Sequence, residues 1–158
     1  MTNRSRTSAG LLMFRRHDGE IEFLLAHPGG PFFLGQDEGI WTIPKGEAAP
    51  GEDLLTRARI EFAEEVGLEA TGPYLPLGTI QQKGGKIVHA WAMEGDLPVG
   101  YIHRSNTFDL EWPPHSGRMQ VFPEIDRAEF FPEKLARRKI KPAQAELLDR
   151  LRAALAAE

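Results

Sequence analysis

The sequence has 158 residues, of which 41% are hydrophobic and 27% charged, and its formal net charge is −4 at pH 7. This length favours one domain with a normal core. The acidic balance argues against a general nucleic-acid binder, which usually carries a basic face. The sequence contains no cysteine, which excludes disulfides, thiolate nucleophiles and cysteine-ligated zinc. Because no apolar run reaches about 18 residues, we expect no membrane span, signal peptide or anchor, and we expect a cytoplasmic protein.

The first half of the chain predicts two strands, a long loop and a helix. Residues 10–15 and 21–26 are β-like runs, and the Asp18-Gly19 dipeptide between them favours a hairpin. Residues 27–50 are rich in Gly and Pro, so we expect a loop with one short strand. Residues 52–66 predict a helix, because apolar residues recur there at helical spacing and a glycine follows to end it. Those apolar residues are Leu55, Ala58, Phe62 and Val66, and the glycine is Gly67.

The second half predicts more strands and a terminal helix. Strands are expected at 77–82 and 87–93 around a glycine turn, and at 128–131. The segment 94–126 is too long for a structureless connector, and alternating Phe108, Leu110 and Trp112 predict a strand within it. Helices are expected at 132–139 and, with an amphipathic pattern, at 142–157. Strands interleaved with helices in this way indicate the α/β class and a sandwich.

Three glutamates crowd one face of the predicted middle helix. Glu61, Glu64 and Glu65 stand at i, i+3 and i+4, which places their Cβ atoms about 5–6 Å apart. Without a cation this crowding raises the carboxylate pKa values, whereas a hard divalent ion such as Mg²⁺ prefers these oxygen ligands. Glutamates also decorate many solvated helix faces, and that interpretation needs no ligand. The apolar stripe beside the acids favours a metal site at the rim of a cleft.

The segment from Gly46 to Leu68 resembles the Nudix box, G-x5-E-x7-R-E-U-x-E-E-x-G-U, in which U is hydrophobic. The fixed Gly and Glu positions are occupied at matching spacing by Gly46, Glu52, Glu61, Glu64, Glu65 and Gly67. The chain departs from the pattern at Ile60, which stands where the family has Arg. In the family that Arg supports the loop–helix geometry through the glutamate matched by Glu52. Arg57 lies four residues before Glu61 and is placed to supply part of the missing charge.

The resemblance to the MutT-like Nudix hydrolases implies a single Nudix hydrolase domain over residues 1–158. It implies a Nudix-type α/β/α sandwich with a mixed β-sheet. The implied activity is Mg²⁺- or Mn²⁺-dependent hydrolysis of a phosphoanhydride bond in a nucleoside diphosphate linked to another group. Glu61 and Glu65 are then the principal metal ligands, and Glu64 is a ligand or the base. Glu52 is a supporting or outer ligand, which completes the catalytic set Glu64, Glu65 and Glu52.

The expected partner is a small-molecule nucleotide. The candidate substrate-binding residues are Lys45, Gly46, Arg57 and Trp112. Lys45 is placed to meet a phosphate, and Trp112 or Phe108 to stack on a base, since aromatic faces accept any base. Each has an ordinary alternative as a solvated lysine or a core aromatic. The oligomeric state is open, with a homodimer among the options.

Two further alternatives follow from the sequence. The loop acids Glu124 and Asp126 compete with Glu64 for the role of general base. The function itself has a second interpretation, in which the fold binds or senses a nucleotide without turning it over. Ile60 favours that binding or regulatory module. The four box glutamates favour the hydrolase, because a module freed from catalysis has no need of crowded acids.

Overall fold

The computed structural model of the protein describes residues 6–158. Its strands are β1 (Thr7–His17), β2 (Glu20–Pro28), β3 (Lys45–Glu47), β4 (Leu75–Gln81), β5 (Ile87–Glu94), β6 (Thr107–Glu111), β7 (Met119–Pro123) and β8 (Ile125–Pro132). Its α-helices are α1 (Leu54–Val66), α2 (Glu133–Lys139) and α3 (Ala145–Ala156). Short 3₁₀ turns cover Lys83–Gly85 and Pro142–Gln144. Within residues 6–158, no helix is long and apolar enough to cross a membrane.

The main sheet is mixed and has six strands, in the order β4-β5-β1-β2-β8, with β3 paired to β1. β1 and β5 run parallel, and every other pair in this sheet is antiparallel. The predicted hairpin is confirmed, because His17 pairs with Glu20 across a turn in which Asp18 and Gly19 both have positive φ. β1 pairs with β3 through residues 8–10 and with β2 through residues 14–17. β2 and β3 therefore follow one another along one edge of β1.

Alternate residues of β1 enter two cores on opposite faces of the sheet. Leu11 and Met13 belong to the core under α1, whereas Leu12 and Phe14 belong to the core under α2 and α3. A strand that is apolar on both faces needs a helical layer on each side. The result is the α/β/α sandwich with a mixed sheet that the sequence predicts.

The predicted apolar stripe of α1 is the face that packs on the sheet. Ala58, Phe62 and Val66 are fully buried, and Leu55 packs against them half-buried. Burial of a side chain such as Phe or Val stabilises a fold by about 1.5–3 kcal/mol. This stripe fixes the rotation of the helix, so it also fixes where the three glutamates point.

The caps of α1 set its ends. Asp53 is the N-cap, and its Oδ2 accepts hydrogen bonds from the Thr56 backbone N–H at 3.0 Å and the Thr56 hydroxyl at 2.7 Å. The helix thus begins at Leu54, two residues later than predicted, and Glu52 lies in the preceding turn. Gly67 ends it as expected, with a left-handed φ of 81° that a residue without Cβ adopts freely.

The long segment before β8 holds two strands where the sequence predicted one. β6 and β7 form a separate two-stranded sheet, and Trp112 lies one residue beyond β6. β7 escaped prediction because its apolar residues Met119 and Val121 face solvent, at 65% and 63% exposure. The terminal helix begins at Ala145 rather than at 142, because Pro142–Gln144 form a 3₁₀ turn.

Candidate active site

β3 passes so close to α1 that position 46 has no room for a side chain. A Cβ added to Gly46 would lie 1.9 Å from Glu61 Oε1 and 2.7 Å from Glu61 Cγ. The backbone N–H of Lys45 donates to Glu65 Oε1 at 3.3 Å. The glycine of the box is therefore explained by close packing. Both principal acids, Glu61 and Glu65, face the backbone of β3.

Arg57 occupies the role that the substitution at Ile60 vacates. Its Nε donates to both Glu52 carboxylate oxygens at 3.0 Å, and its Nη2 donates to Glu52 Oε2 at 2.7 Å. Its Nη1 donates to Glu61 Oε2 at 3.0 Å. The backbone N–H of Ala49 completes the setting by donating to Glu52 Oε1 at 3.0 Å. Each guanidinium nitrogen is engaged by a carboxylate, so the structure gives Arg57 a supporting role between the loop and the helix.

The charge balance of the site is uneven. Hydrogen bonds from Arg57, followed by one from the Ala49 backbone, lower the pKa of Glu52. Burial, opposed by Arg57 and reinforced by the charge of Glu64, raises the pKa of Glu61. Burial and then the charge of Glu61 raise the pKa of Glu65 to about 8. Arg57 thus compensates the charge of Glu52, whereas at Glu61 and Glu65 burial outweighs the positive charges of Arg57 and Lys45.

The acids share one face of α1, but their side chains are not arranged as a complete set of metal ligands. In the described part of the chain, no group of three or more His, Asp or Glu side chains is arranged to hold a metal ion. Glu61 accepts a hydrogen bond from Arg57, while Glu65 accepts one from the backbone N–H of Lys45 on β3. The atoms at this face that could coordinate a metal are carboxylate oxygens, which Mg²⁺ and Mn²⁺ prefer as ligands.

The side chain of Lys45 leaves β3 on the face opposite to Gly46. Lys45 pairs with Gly10, and a Cβ added to Gly10 would lie 2.8 Å from Lys45 Cβ. Burial and the nearby charges of Lys86 and Lys141 lower the pKa of Lys45 to about 8. Burial and then the charge of Lys86 also lower the pKa of Lys141. Lys45, Lys86 and Lys141 thus form a group of positive charges, and within this group Lys45 also lies near enough to Glu65 for their charges to interact.

The two loop acids have different surroundings. Glu124 lies near enough to Glu65 for its charge to raise the pKa of that carboxyl. Its backbone N–H donates to Asn106 O at 2.7 Å, and the Asn106 N–H donates to the α1 carbonyl of Glu64 at 2.8 Å. Asp126 instead accepts from His27 Nδ1 at 2.8 Å. Glu124 is therefore the loop acid that joins the carboxylate face.

Trp112 lies against an aromatic residue that the sequence did not single out. Its ring meets Phe32 edge to face at a centroid distance of 5.2 Å, and Phe32 is 59% exposed. Phe108 packs under the same loop, where a Cβ added to Gly30 would lie 3.0 Å from its ring. The β6–β7 hairpin and the loop after β2 thus form one aromatic wall.

A model of the NUDIX domain matches residues 4–151. The chain belongs to this family. It is similar to the asymmetrical bis(5'-nucleosyl)-tetraphosphatase of Rattus norvegicus, with 37% identity over 101 residues, which are 55% of this chain and 63% of the relative. It is also similar to the enzyme of that name from Mus musculus, with 42% identity over 72 residues, which are 40% of this chain and 44% of the relative. The chain thus spans less than two thirds of the curated relatives it matches. A solved C. elegans Ap4A hydrolase binary complex has 25% identity and a TM-score of 0.65, over 96% of this chain and 99% of that chain.

The structure of this NUDIX domain brings the box residues to one place. The site it assembles consists of Gly46, Glu52, Arg57, Glu61, Glu64 and Glu65, with Glu124 beside it. Sequence reasoning missed Phe32 and Asn106, since each comes from a segment distant along the chain. Only the Gly-Pro-rich loop around Phe32 gave a signal, because such loops often carry binding residues.

The raised pKa of the half-buried Glu65 carboxyl predicts a pH-dependent stability in the metal-free NUDIX domain. Its pKa is about 4.3 in an unfolded chain and about 8 in the fold. Ionisation therefore favours the unfolded chain, so stability is fullest below about pH 4 and is lost as the pH rises towards 8. Because Glu65→Gln removes this loss, its advantage in melting temperature over wild type in EDTA should be larger near pH 8.5 than near pH 5. Thermal melts at both pH values measure it, and an equal difference at both would contradict the burial of an ionisable group.

Proposed function

We propose that this NUDIX domain hydrolyses a phosphoanhydride bond in a nucleoside diphosphate linked to another group, as a nucleotide pyrophosphohydrolase. The observation that carries the proposal is the close approach of the Gly46 and Lys45 backbone to the carboxylates of Glu61 and Glu65. The similarity to proteins named bis(5'-nucleosyl)-tetraphosphatase and Ap4A hydrolase supports a dinucleoside polyphosphate as the first substrate class to test.

The acids of α1 suit a divalent cation. Glu61, Glu64 and Glu65 would hold Mg²⁺ or Mn²⁺ through oxygen atoms alone. Such an ion, when bound, neutralises phosphate charge and lowers the pKa of a coordinated water. Arg57 keeps Glu52 and Glu61 in position by its paired hydrogen bonds. The Lys45 N–H holds Glu65 in the same way.

Two carboxylates are placed to take the proton from the attacking water, namely Glu64 and Glu124. Glu64 lies among the proposed ligands, so metal binding would compete with proton transfer there. Glu124 is fixed at both backbone groups, because its N–H donates to Asn106 and its carbonyl accepts from Gly29 at 2.9 Å. A fixed acid beside Glu65 suits a base, since proton transfer depends on geometry before pKa. We therefore assign the proton-accepting role to Glu124 and a ligand role to Glu64.

A lysine and two aromatic residues supply the remaining recognition in this proposal. Lys45 lies near enough to Glu65 for their charges to interact, so it can offer positive charge to an anionic substrate in a protein of net charge −4. Trp112 and Phe32 offer aromatic surface on which a base stacks. These residues recognise the anionic and nucleoside parts of a substrate, while the acids act on the bond between its phosphates.

The alternative of a non-catalytic nucleotide-binding module loses its main support. That interpretation rested on Ile60, which leaves the box without its arginine. Ile60 is 37% exposed on α1, and Arg57 makes the bidentate contact to Glu52 instead. The substitution therefore leaves Glu52 with a cationic partner.

A substrate panel tests the proposed function. The protein is incubated with nucleoside triphosphates, dinucleoside polyphosphates, nucleotide sugars or NADH, each with Mg²⁺, with Mn²⁺ or with EDTA. We expect metal-dependent release of a nucleotide from at least one class, detected by anion-exchange chromatography, and its loss in EDTA, because the acids alone provide no Lewis acid. Full turnover in EDTA would refute the metal site. Nucleotide binding without turnover in every metal condition would favour the binding module.

A further inference from the structure

The pairing of β2 with β8 contains an irregularity beside the candidate base. His27 pairs with Arg127, whereas the next residue, Pro28, pairs with Ile125. Asp126 is therefore the residue of β8 without a partner across β2, as in a β-bulge. Bulges redirect a side chain, and here the redirected carboxylate meets the ring of His27.

His27 lies between two hydrogen-bond acceptors. Its ring is buried, with 2% exposure, and its Nδ1 lies 2.8 Å from Asp126 Oδ1. Its Nε2 lies 2.7 Å from the backbone oxygen of Gln36, in the loop after β2. Through its two ring nitrogens His27 therefore bridges Asp126 on β8 and the loop after β2.

The backbone next to His27 holds Glu124 directly. Two residues after His27, the Gly29 N–H donates to Glu124 O at 2.9 Å. Gly29 packs so tightly that an added Cβ would lie 2.0 Å from the carbonyl oxygen of Pro123. His27 thus hydrogen-bonds to Asp126, two residues after Glu124, while the Gly29 backbone hydrogen-bonds to Glu124 itself.

We propose that His27 is a positioning residue, whose double hydrogen bond through the bulged Asp126 and the Gln36 carbonyl keeps Glu124 beside the carboxylate face. The inference rests on the proposed function for the role of Glu124. His27 touches no reacting group, so its effect passes through the segment 124–126. It also couples the loop that carries Phe32 to the base, because Gln36 belongs to that loop.

Kinetics of single and double variants test this coupling on the substrate found by the panel. We expect His27→Gln to lower kcat about tenfold with KM changed less than about threefold, because a misplaced base slows the chemical step. In the Glu124→Gln background the same substitution should cost less than about twofold. His17→Gln, at an exposed position on β1, is the control. Equal losses in both backgrounds would refute action through Glu124.

Variants of the partner carboxylate keep the test valid where His27→Gln fails to fold. Asp126→Asn retains an oxygen that accepts from Nδ1, so it should keep kcat within about threefold of wild type. Asp126→Ala removes the acceptor and should reproduce the roughly tenfold loss. A large loss in Asp126→Asn would overturn the inference, because it would assign Asp126 a chemical role.

Amide hydrogen exchange gives a result that does not depend on turnover. In the metal-free full chain we expect His27→Gln, or Asp126→Ala, to accelerate exchange at Gly29 and Glu124 about tenfold or more. The Leu11 amide, which donates to Pro44 O at 3.1 Å in the sheet, is the reference. Unchanged exchange at Gly29 and Glu124 would refute the positioning role. Accelerated exchange in a protein that turns over no substrate would support the structural coupling while the proposed function fails.

Discussion

Glu65→Gln is expected to lower kcat by at least about tenfold, and Glu64→Gln to do the same, with the fold retained. Each replaces a carboxyl group by an amide on the face that the proposed function assigns to the metal and the reacting phosphate. Removal of a positioned acid or base costs about 10²–10⁴-fold in many enzymes, and loss of metal charge adds to this. Glu65 should show the larger effect, because it faces β3 at the centre of the site and its pKa is raised to about 8.

The measurement is steady-state kinetics over a range of Mg²⁺ concentrations on the best substrate of the panel. Glu69→Gln is the matched control, because Glu69 is an exposed glutamate just beyond the end of α1. We expect excess Mg²⁺ to rescue the two site variants only in part. A high Mg²⁺ concentration fills a weakened site, but the carboxylate that the substitution removed is still missing. Wild-type rates in both variants would remove the carboxylate face from the mechanism.

Arg57→Ala is expected to lower kcat/KM by about tenfold or more, which is about 1.4 kcal/mol of transition-state stabilisation. The guanidinium joins Glu52 to Glu61 by four hydrogen bonds, so its loss frees the acid that faces Gly46. The melting temperature should change little, because an ion pair that stays in contact with water contributes little net stability. The expected signature is lost activity with retained stability.

Position 60 provides the complementary experiment. Ile60→Arg alone should change kcat/KM by less than about threefold, since Arg57 already holds Glu52. In the Arg57→Ala background, Ile60→Arg should restore part of the activity. Arg59→Ala, on the same helix but near the ring of Tyr74, serves as the control. A large gain from Ile60→Arg in the otherwise wild-type chain, together with a silent Arg57→Ala, would show that the site lacks support.

The helix that carries the acids was predictable because its signals are local. Periodic apolar residues and Gly67 located α1, and the spacing of Glu61, Glu64 and Glu65 placed them on one face. The two-residue error at the start has a physical cause, since Asp53 caps the helix through Thr56. Asp followed three residues later by Thr was a readable signal for that cap. Arg57 was a candidate for the missing charge because it lies four residues from Glu61.

The remaining parts of the site depend on contacts between distant segments. The face of Lys45 follows from its register with Gly10 on β1, and β3 is only three residues long, too short to show an alternation. The choice of Glu124 over Asp126 depends on backbone hydrogen bonds to Asn106 and Gly29 and on a bulge. Nothing in the local sequence reports a bulge opposite another strand.

The segment between β5 and β6 caps the carboxylate helix. The Tyr101 hydroxyl donates to Val66 O at 2.5 Å and the Asn106 N–H donates to Glu64 O at 2.8 Å, so carbonyls that a helix end leaves unpaired are satisfied from outside. The β6–β7 hairpin beyond it makes a ladder of its own, separate from the main sheet. The hairpin is thus anchored at its base by Asn106 and contacts the loop after β2 at its tip, through Trp112 and Phe32. One hairpin therefore joins the end of the carboxylate helix to the aromatic wall, because its base bonds to α1 and its tip packs on Phe32.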